Sequence, residues 1–407
     1  MKEYWLVLHP DTFLWIKGNK GLVYNSRNYE MFHFENDDLL GKLIDELLKL
    51  ESLYRVTIND QDLSTETVKN WVNGLLQTDS AILIENDGSN ERPVSLKPEL
   101  RVQDTIVSYK SDHNQSVGGR IMTNLHQLTF HINGSHYGNS FYSRQIIYPQ
   151  PEGEEMKLED ICRFITSFGD TSFFLPHIAL VGCLWQYSAN NDLLAFLHSL
   201  KVNVTVYCTE HDFLKYRDTQ KEASYDNVTF HILISDYNID YSILLNETQP
   251  DISISYGFIV TSENDYECAN QLIECYELSE KSRIYPLYTT DNLVFLEENL
   301  YMNEDLFENI DLSKREIFAH QVINTNFFGT LTVFSDGNVF AGNVATPIGR
   351  INESLYTIVY REMTEGDSWF QTRSQEPCKS CVYQLLCPSP STYEQIIGVP
   401  NLCHIAQ

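Results

Sequence analysis

The placement of the cysteines constrains this chain more than any other feature of its sequence. Cys162, Cys183, Cys208, Cys268 and Cys275 are scattered through apolar stretches of the middle, whereas Cys378, Cys381, Cys387 and Cys403 fall close together near the end. Two residues separate the first pair of that cluster, five the next and fifteen the last. A Cys-x2-Cys turn sets two thiolates on one side of a tight loop, and two further sulfurs complete a shell around one metal centre. The spacing suits zinc or an iron–sulfur cluster equally. In a reducing compartment disulfides are disfavoured, and the scattered cysteines read as small buried hydrophobes.

The compartment follows from what is missing. No apolar run approaches the roughly 18 residues of a membrane helix, and the start, Met1-Lys2-Glu3-Tyr4-Trp5-Leu6, lacks a signal-peptide core and cleavage site. The expectation is a cytoplasmic protein with no membrane association. The formal net charge of −28, from 56 acidic and 28 basic residues, repels phosphate backbones. The densest basic set, Lys215, Arg217 and Lys221, sits among acids. A nucleic-acid partner is therefore not expected, while a basic or neutral peptide remains allowed.

At 407 residues the chain is long enough for two or three domains. From Thr12 to about Glu85 short strands precede helices: extended runs at Thr12–Ile16, Gly21–Asn25 and Tyr29–Phe34, a helix capped near Asn36-Asp37-Asp38, and a second helix after Ser64. In the first helix Leu39, Leu43, Leu47 and Leu40, Ile44, Leu48 make two adjacent apolar rows. Residues 96–123 read as a polar linker. From 124 to 317, strands expected at Leu125–Ile132, His177–Gly182, Asn203–Cys208, Val228–Ile234, Ile252–Val260 and Ile284–Tyr288 alternate with helices. The helical segments are Leu158–Phe168, Asp192–Leu200, Tyr237–Leu245, Asp265–Glu280 and Leu293–Leu306. Such alternation predicts an α/β fold around a parallel sheet, open or partly closed into a barrel. From 318 onward a hairpin around Ser335-Asp336-Gly337-Asn338, a short helix and the cysteine cluster follow.

At the cysteines the chain resembles the SPASM domain that ends many radical S-adenosylmethionine (SAM) peptide-modifying enzymes, whose hallmark is Cys-x2-Cys-x5-Cys-x3-Cys with a further downstream cysteine. Cys378, Cys381 and Cys387 match the first three positions and Cys403 the downstream one, while Ser391 stands at the fourth. The upstream hairpin of that domain is similar to Phe334–Gly342, although no cysteine follows Gly342 at the family's spacing. The resemblance implies one auxiliary 4Fe–4S cluster retained, held by Cys378, Cys381, Cys387 and Cys403, with a second one lost. It favours iron over zinc. The middle region resembles a radical SAM partial (β/α)6 TIM-like barrel. That family's Cys-x3-Cys-x2-Cys loop is absent after Leu125–Ile132, where Asn133–Tyr142 contains no cysteine, and its Gly-Gly-Glu motif is reduced to Val181-Gly182-Cys183-Leu184. Residues 1–95 resemble a winged-helix-like recognition element of ribosomally synthesised peptide (RiPP) systems, which binds a leader peptide as an added strand.

Together these regions resemble the pseudo-radical-SAM proteins of Bacteroidales peptide natural-product clusters. What that implies is an accessory protein in peptide maturation that is not itself an enzyme, with no SAM binding expected. Its partners would be a precursor with a Gly-Gly leader and an active radical SAM maturase. Two other readings stay open: an enzyme doing redox chemistry on a peptide with its single cluster, and a zinc-stabilised peptide-binding protein. A replacement site near His131, His136 or Cys183 competes with a solvated loop and an inert buried thiol, and His404 competes as a neighbour of Cys403.

Overall fold

A computed structural model describes residues 2–86, 88, 92–97, 121–135, 138–151, 153–167, 177–216, 226–239, 241, 244–245, 253–342 and 346–405. The first 85 residues contain strands β1 (Glu3–Leu8), β2 (Thr12–Lys17), β3 (Lys20–Asn25), β4 (Met31–Glu35), β5 (Arg55–Asn59) and β6 (Ala81–Glu85). They form two antiparallel sheets, β5-β1-β6 and β2-β3-β4. Helix Asp38–Leu48 starts where the Asp37 carboxylate accepts from the Leu39 and Leu40 amides, a cap that meets otherwise unpaired donors. Burial cuts across its two apolar rows. Leu40, Ile44 and Leu47 are buried against Trp71, Val72 and Leu75 of helix Glu66–Gln77, whereas Leu39 and Leu48 are each 37% exposed.

The main sheet runs β12 (Ser282–Pro286), β11 (Ser253–Val260), β10 (Val228–Ile234), β9 (Val204–Thr209), β8 (His177–Val181), β7 (Gln127–His131) and β13 (Thr330–Val333), all parallel. It ends on the antiparallel β14 (Asn338–Phe340) and β15 (Gly349–Arg350). Parallel neighbours require crossover connections, and right-handed crossovers between strands in unbroken chain order place their helices on one face. One parity of strand residues, including Phe130, Leu180, Val206, Ile232 and Phe258, accordingly packs with Ile161, Phe164, Leu193 and Leu197 of the helices in one large core. The other parity carries His131, Tyr207, His231, Leu233, Ile259 and Tyr285, with a small second core of Leu233, Ile259, Leu287 and Tyr148. The expected helix Tyr237–Leu245 lies partly outside the described residues, and most of the linker over 96–123 does so too.

The expected helix Leu293–Leu306 is two, Leu293–Leu300 and Glu304–Glu308. Asn303 ends the run by accepting from the Leu306 amide at 2.8 Å. Met302 instead bridges to Cys403: its amide donates to the Leu402 carbonyl and its carbonyl accepts from the His404 amide, both at 2.9 Å. Among the described residues no helix is long and apolar enough to cross a membrane.

A third core joins the two ends of the chain. Phe13, Leu22 and Tyr24 pack with Phe307, Ile317, Tyr383 and Leu386. The buried Tyr24 hydroxyl accepts from the Leu312 amide at 2.7 Å and lies 3.1 and 3.0 Å from the Ile310 and Leu312 carbonyls. Tyr24→Phe removes that hydroxyl and leaves a desolvated amide unpaired, which costs about 1–3 kcal/mol. Urea unfolding of the full chain is expected to show that loss.

Candidate metal centre

The four clustered cysteines sit on turns rather than on regular elements. Cys378 opens the 3-10 turn Cys378–Ser380, and the Cys381 amide donates back to the Cys378 carbonyl at 3.0 Å. Cys387 closes a turn in which its amide and that of Leu386 donate to the Tyr383 carbonyl at 3.0 and 2.9 Å. Cys403 arrives on the strand-like bridge to Met302. Cys378, Cys387 and Cys403 are buried and Cys381 is half-buried. Burial pushes the Cys387 thiol up to about 12, with Arg373 opposing the rise and the nearby Cys403, Cys381 and Cys378 adding to it. Burial likewise raises the Cys381 thiol, with Cys403 and Cys378 adding to the rise, so all four sulfurs share one region.

Among the described residues no three His, Cys, Asp or Glu side chains close to the spacing of one bound ion. Two donors lie against individual sulfurs. The Arg373 guanidinium, its side chain only 8% exposed, pairs with Glu394 at 2.9 Å and has Nη1 4.0 Å from Cys378 Sγ. The Ile405 amide donates to Cys403 Sγ at 3.3 Å. Four sulfur donors, a buried cation and an amide aimed at sulfur fit the four-thiolate ligation of a 4Fe–4S cluster. Such a group would supply one-electron transfer or a rigid cross-link, with Cys378, Cys381, Cys387 and Cys403 as the residues that would hold it and Arg373 as the nearby counter-charge.

The neighbouring candidates have other partners. Ser391 caps helix Thr392–Ile397, accepting from the Tyr393 amide, while Glu394 accepts from the Ser391 amide in return. His404 places Nε2 3.0 Å from the Glu297 carbonyl and its ring against Tyr301, so its known contacts tie it to helix Leu293–Leu300.

At the carboxyl ends of the strands the sequence candidates separate. His136 lies outside the described residues. His131 is buried and stacked on Phe334 at 4.5 Å, its Nδ1 without a partner, and burial lowers its pKa to about 3, so the ring is neutral. Burial, with Asp212 adding, pushes the Cys183 thiol up to about 11, the state of an inert cysteine. The Asn133 side chain fills the space between them: it donates to the Cys183 carbonyl and accepts from the Cys183 amide, both at 2.9 Å. Gly182, with φ +131°, permits that approach, since a Cβ there would strike Asn133.

Two polar groups escaped the sequence reading. Asp212 accepts from Thr209 at 3.0 Å and also from Ser135, and beside it lies the buried Glu210. His231 Nδ1 lies 2.8 Å from Ser255 and Nε2 3.3 Å from the Tyr285 hydroxyl. His231 shares the polar parity of β10 with Thr229, masked by the apolar parity that faces the helices, whereas Glu210 and Asp212 open helix Glu210–Tyr216 directly after β9. Burial raises Glu210 to about 7. A carboxyl whose folded pKa exceeds its unfolded one binds more protons when folded, so its contribution falls as pH rises from the ordinary glutamate range to about 7. Unfolding free energies from urea titrations are expected to decline across that window by up to about 1.4 kcal/mol per pH unit for this proton, and Glu210→Gln is expected to flatten the decline.

No protein-family profile matches the sequence, and no curated protein matches it. Among solved structures the chain is similar to SuiB of Streptococcus suis bound to precursor peptide SuiA, at 12% identity over 99% of this chain and 98% of that one, with a TM-score of 0.46. SuiB bound to S-adenosylmethionine is also 12% identical, over 99% and 100% of the two chains, with a TM-score of 0.45. BtrN in complex with AdoMet and 2-DOIA is 11% identical over 60% of this chain and 88% of its own, with a TM-score of 0.28. Likenesses this low carry no argument about the activity of this chain.

Proposed function

We propose that this chain is a catalytically degenerate radical SAM-like accessory protein for maturation of a ribosomally made peptide. In this reading residues 1–95 bind the precursor leader, 96–123 link, 124–317 form a partial barrel that docks an active radical SAM partner, and 318–407 carry one auxiliary 4Fe–4S cluster. The observation that carries it is a contrast between two places in one fold. In the C-terminal region Cys378, Cys381 and Cys403 lie near Cys387, and Arg373 lies beside Cys378 and Cys387, whereas the segment after β7 offers no thiol and spends Asn133 on binding the β8 loop. SAM cleavage by this class needs an iron with a vacant position, held by three thiolates at those strand ends. Residues 133–150 contain none. The chain would therefore neither bind SAM at iron nor generate a radical. The leader would carry a Gly-Gly motif, and the cluster would cross-link the C-terminal region or relay electrons to the partner.

Anaerobic purification tests the cluster: about four irons per chain are expected, with Cys387→Ala losing most of them and Cys183→Ala losing none. A colourless protein with one zinc would replace the cluster by a zinc-stabilised peptide binder. Reduced protein incubated with SAM is expected to yield no 5′-deoxyadenosine, and its appearance would end the degenerate reading. Peptide turnover by the chain alone would favour a redox enzyme instead. Affinity capture with the products of adjacent genes is expected to retain a short Gly-Gly peptide and a radical SAM protein.

A further inference from the structure

The side of helix Asp38–Leu48 that carries the exposed Leu39 and the half-buried Leu43 borders the outer edge of β5, next to Leu53, whose carbonyl accepts from the Ser95 amide at 3.1 Å. Leu39 and Leu43 face β5 across a groove of about 450 Å³, with Trp5, Arg55 and Arg92 also on its walls. The register of β5 defines what its edge presents. The Leu8 amide bonds to the Tyr54 carbonyl and the Asp60 amide to the Lys2 carbonyl. Hydrogen-bonded pairs recur every second residue in an antiparallel ladder, so Val56 and Ile58 face β1 and the main-chain groups of Arg55 and Thr57 face outward. Among the described residues no strand pairs with that edge.

Arg55 gives the groove its chemistry. Its side chain lies over the Trp5 ring, 4.9 Å to the centroid. The residue is only 7% exposed, and its buried Nε has no hydrogen-bond partner. Among the described residues no carboxylate pairs with it. Lys42 and Arg92 stand nearby, whereas the lining Glu46 is engaged by Lys49 at 2.6 Å and by Ser52 at 3.0 Å. A buried guanidinium donor without an acceptor is a deficit that a carboxylate relieves with charge-assisted, bidentate bonds. The net charge of −28 opposes an acidic ligand at long range, but screening confines that repulsion to about 10 Å, and the groove lining sets Lys42, Arg55 and Arg92 against Glu46 and Glu51.

We propose that this groove receives an extended peptide segment that adds to β5 as a further strand, sets an Asp or Glu side chain on Arg55, and turns alternate apolar side chains toward Leu39 and Leu43. The period of two along a strand makes these demands compatible, because Arg55 and the helix lie on opposite faces of the sheet. The inference rests on the reading of the N-terminal unit as a peptide-capturing module and names the edge and ligand chemistry it uses.

The test uses the full chain and three labelled decapeptides alternating leucine and threonine. One has a central glutamate, one has glutamine in its place, and one is the glutamate peptide with alternate backbone nitrogens methylated. Fluorescence anisotropy is expected to show the glutamate peptide binding at least about tenfold tighter than either twin. Arg55→Met is expected to erase the glutamate preference, and Arg55→Lys to retain part of it, with thermal melting confirming that both variants are folded. The methylated peptide probes the edge without altering the protein. No binding, equal binding of the glutamate and glutamine peptides, indifference to methylation, or an unchanged preference in Arg55→Met overturns the proposal. Gene-neighbour capture separates the two readings: a leader retained equally by wild type and Arg55→Met removes the groove alone. A groove that binds the probe while no leader is retained removes the maturation role alone.

Discussion

The cysteine region depends on packing between the two ends of the chain. Residues 378–387 have little regular structure, so their own hydrogen bonds do not fix where the sulfurs point. Tyr383 supplies the anchor: its ring stacks on Phe307 at 4.2 Å and its hydroxyl meets His33 Nε2 of β4 at 2.8 Å. Lys17 of β2 donates to the Lys379 carbonyl at 2.7 Å and to Gln384 at 3.0 Å. The N-terminal hairpin thus holds the loop between Cys378 and Cys387 from outside, while Met302 holds Cys403 from the other side. A sheet that belongs to the first domain in sequence order is part of the mould for the last.

That coupling bears on the proposed role. A peptide bound at β5 touches the β5-β1-β6 sheet, and the adjoining β2-β3-β4 sheet touches the cysteine loop. The strand ends of the main sheet are closed locally, with Asn133 between two loops and His131 neutral under Phe334.

Much of the architecture was legible because strand and helix periodicities differ. Val228–Ile234 reads from the sequence as it folds, and the six central strands all appear within a few residues of expectation. β1 escaped notice because, lying between two neighbours, it is nearly uniformly apolar over Trp5–Leu8 and shows no alternation. β5 is short and sits against helix signals on both sides. The break at Met302 was illegible because the residue has helical propensity and leaves the helix only to pair with Cys403, a contact about a hundred residues away in sequence.

The sequence by itself determined the alternation that builds a parallel sheet, the absence of thiols after its first strand, and the presence of four near the end, since these are matters of composition and local period. Tertiary structure alone decided that Ser391 is a helix cap, that His404 serves a carbonyl of a neighbouring helix, and that the buried Arg55 Nε finds no acceptor among the described residues. Each of those depends on which distant groups are brought within hydrogen-bonding range, and no local pattern encodes that distance.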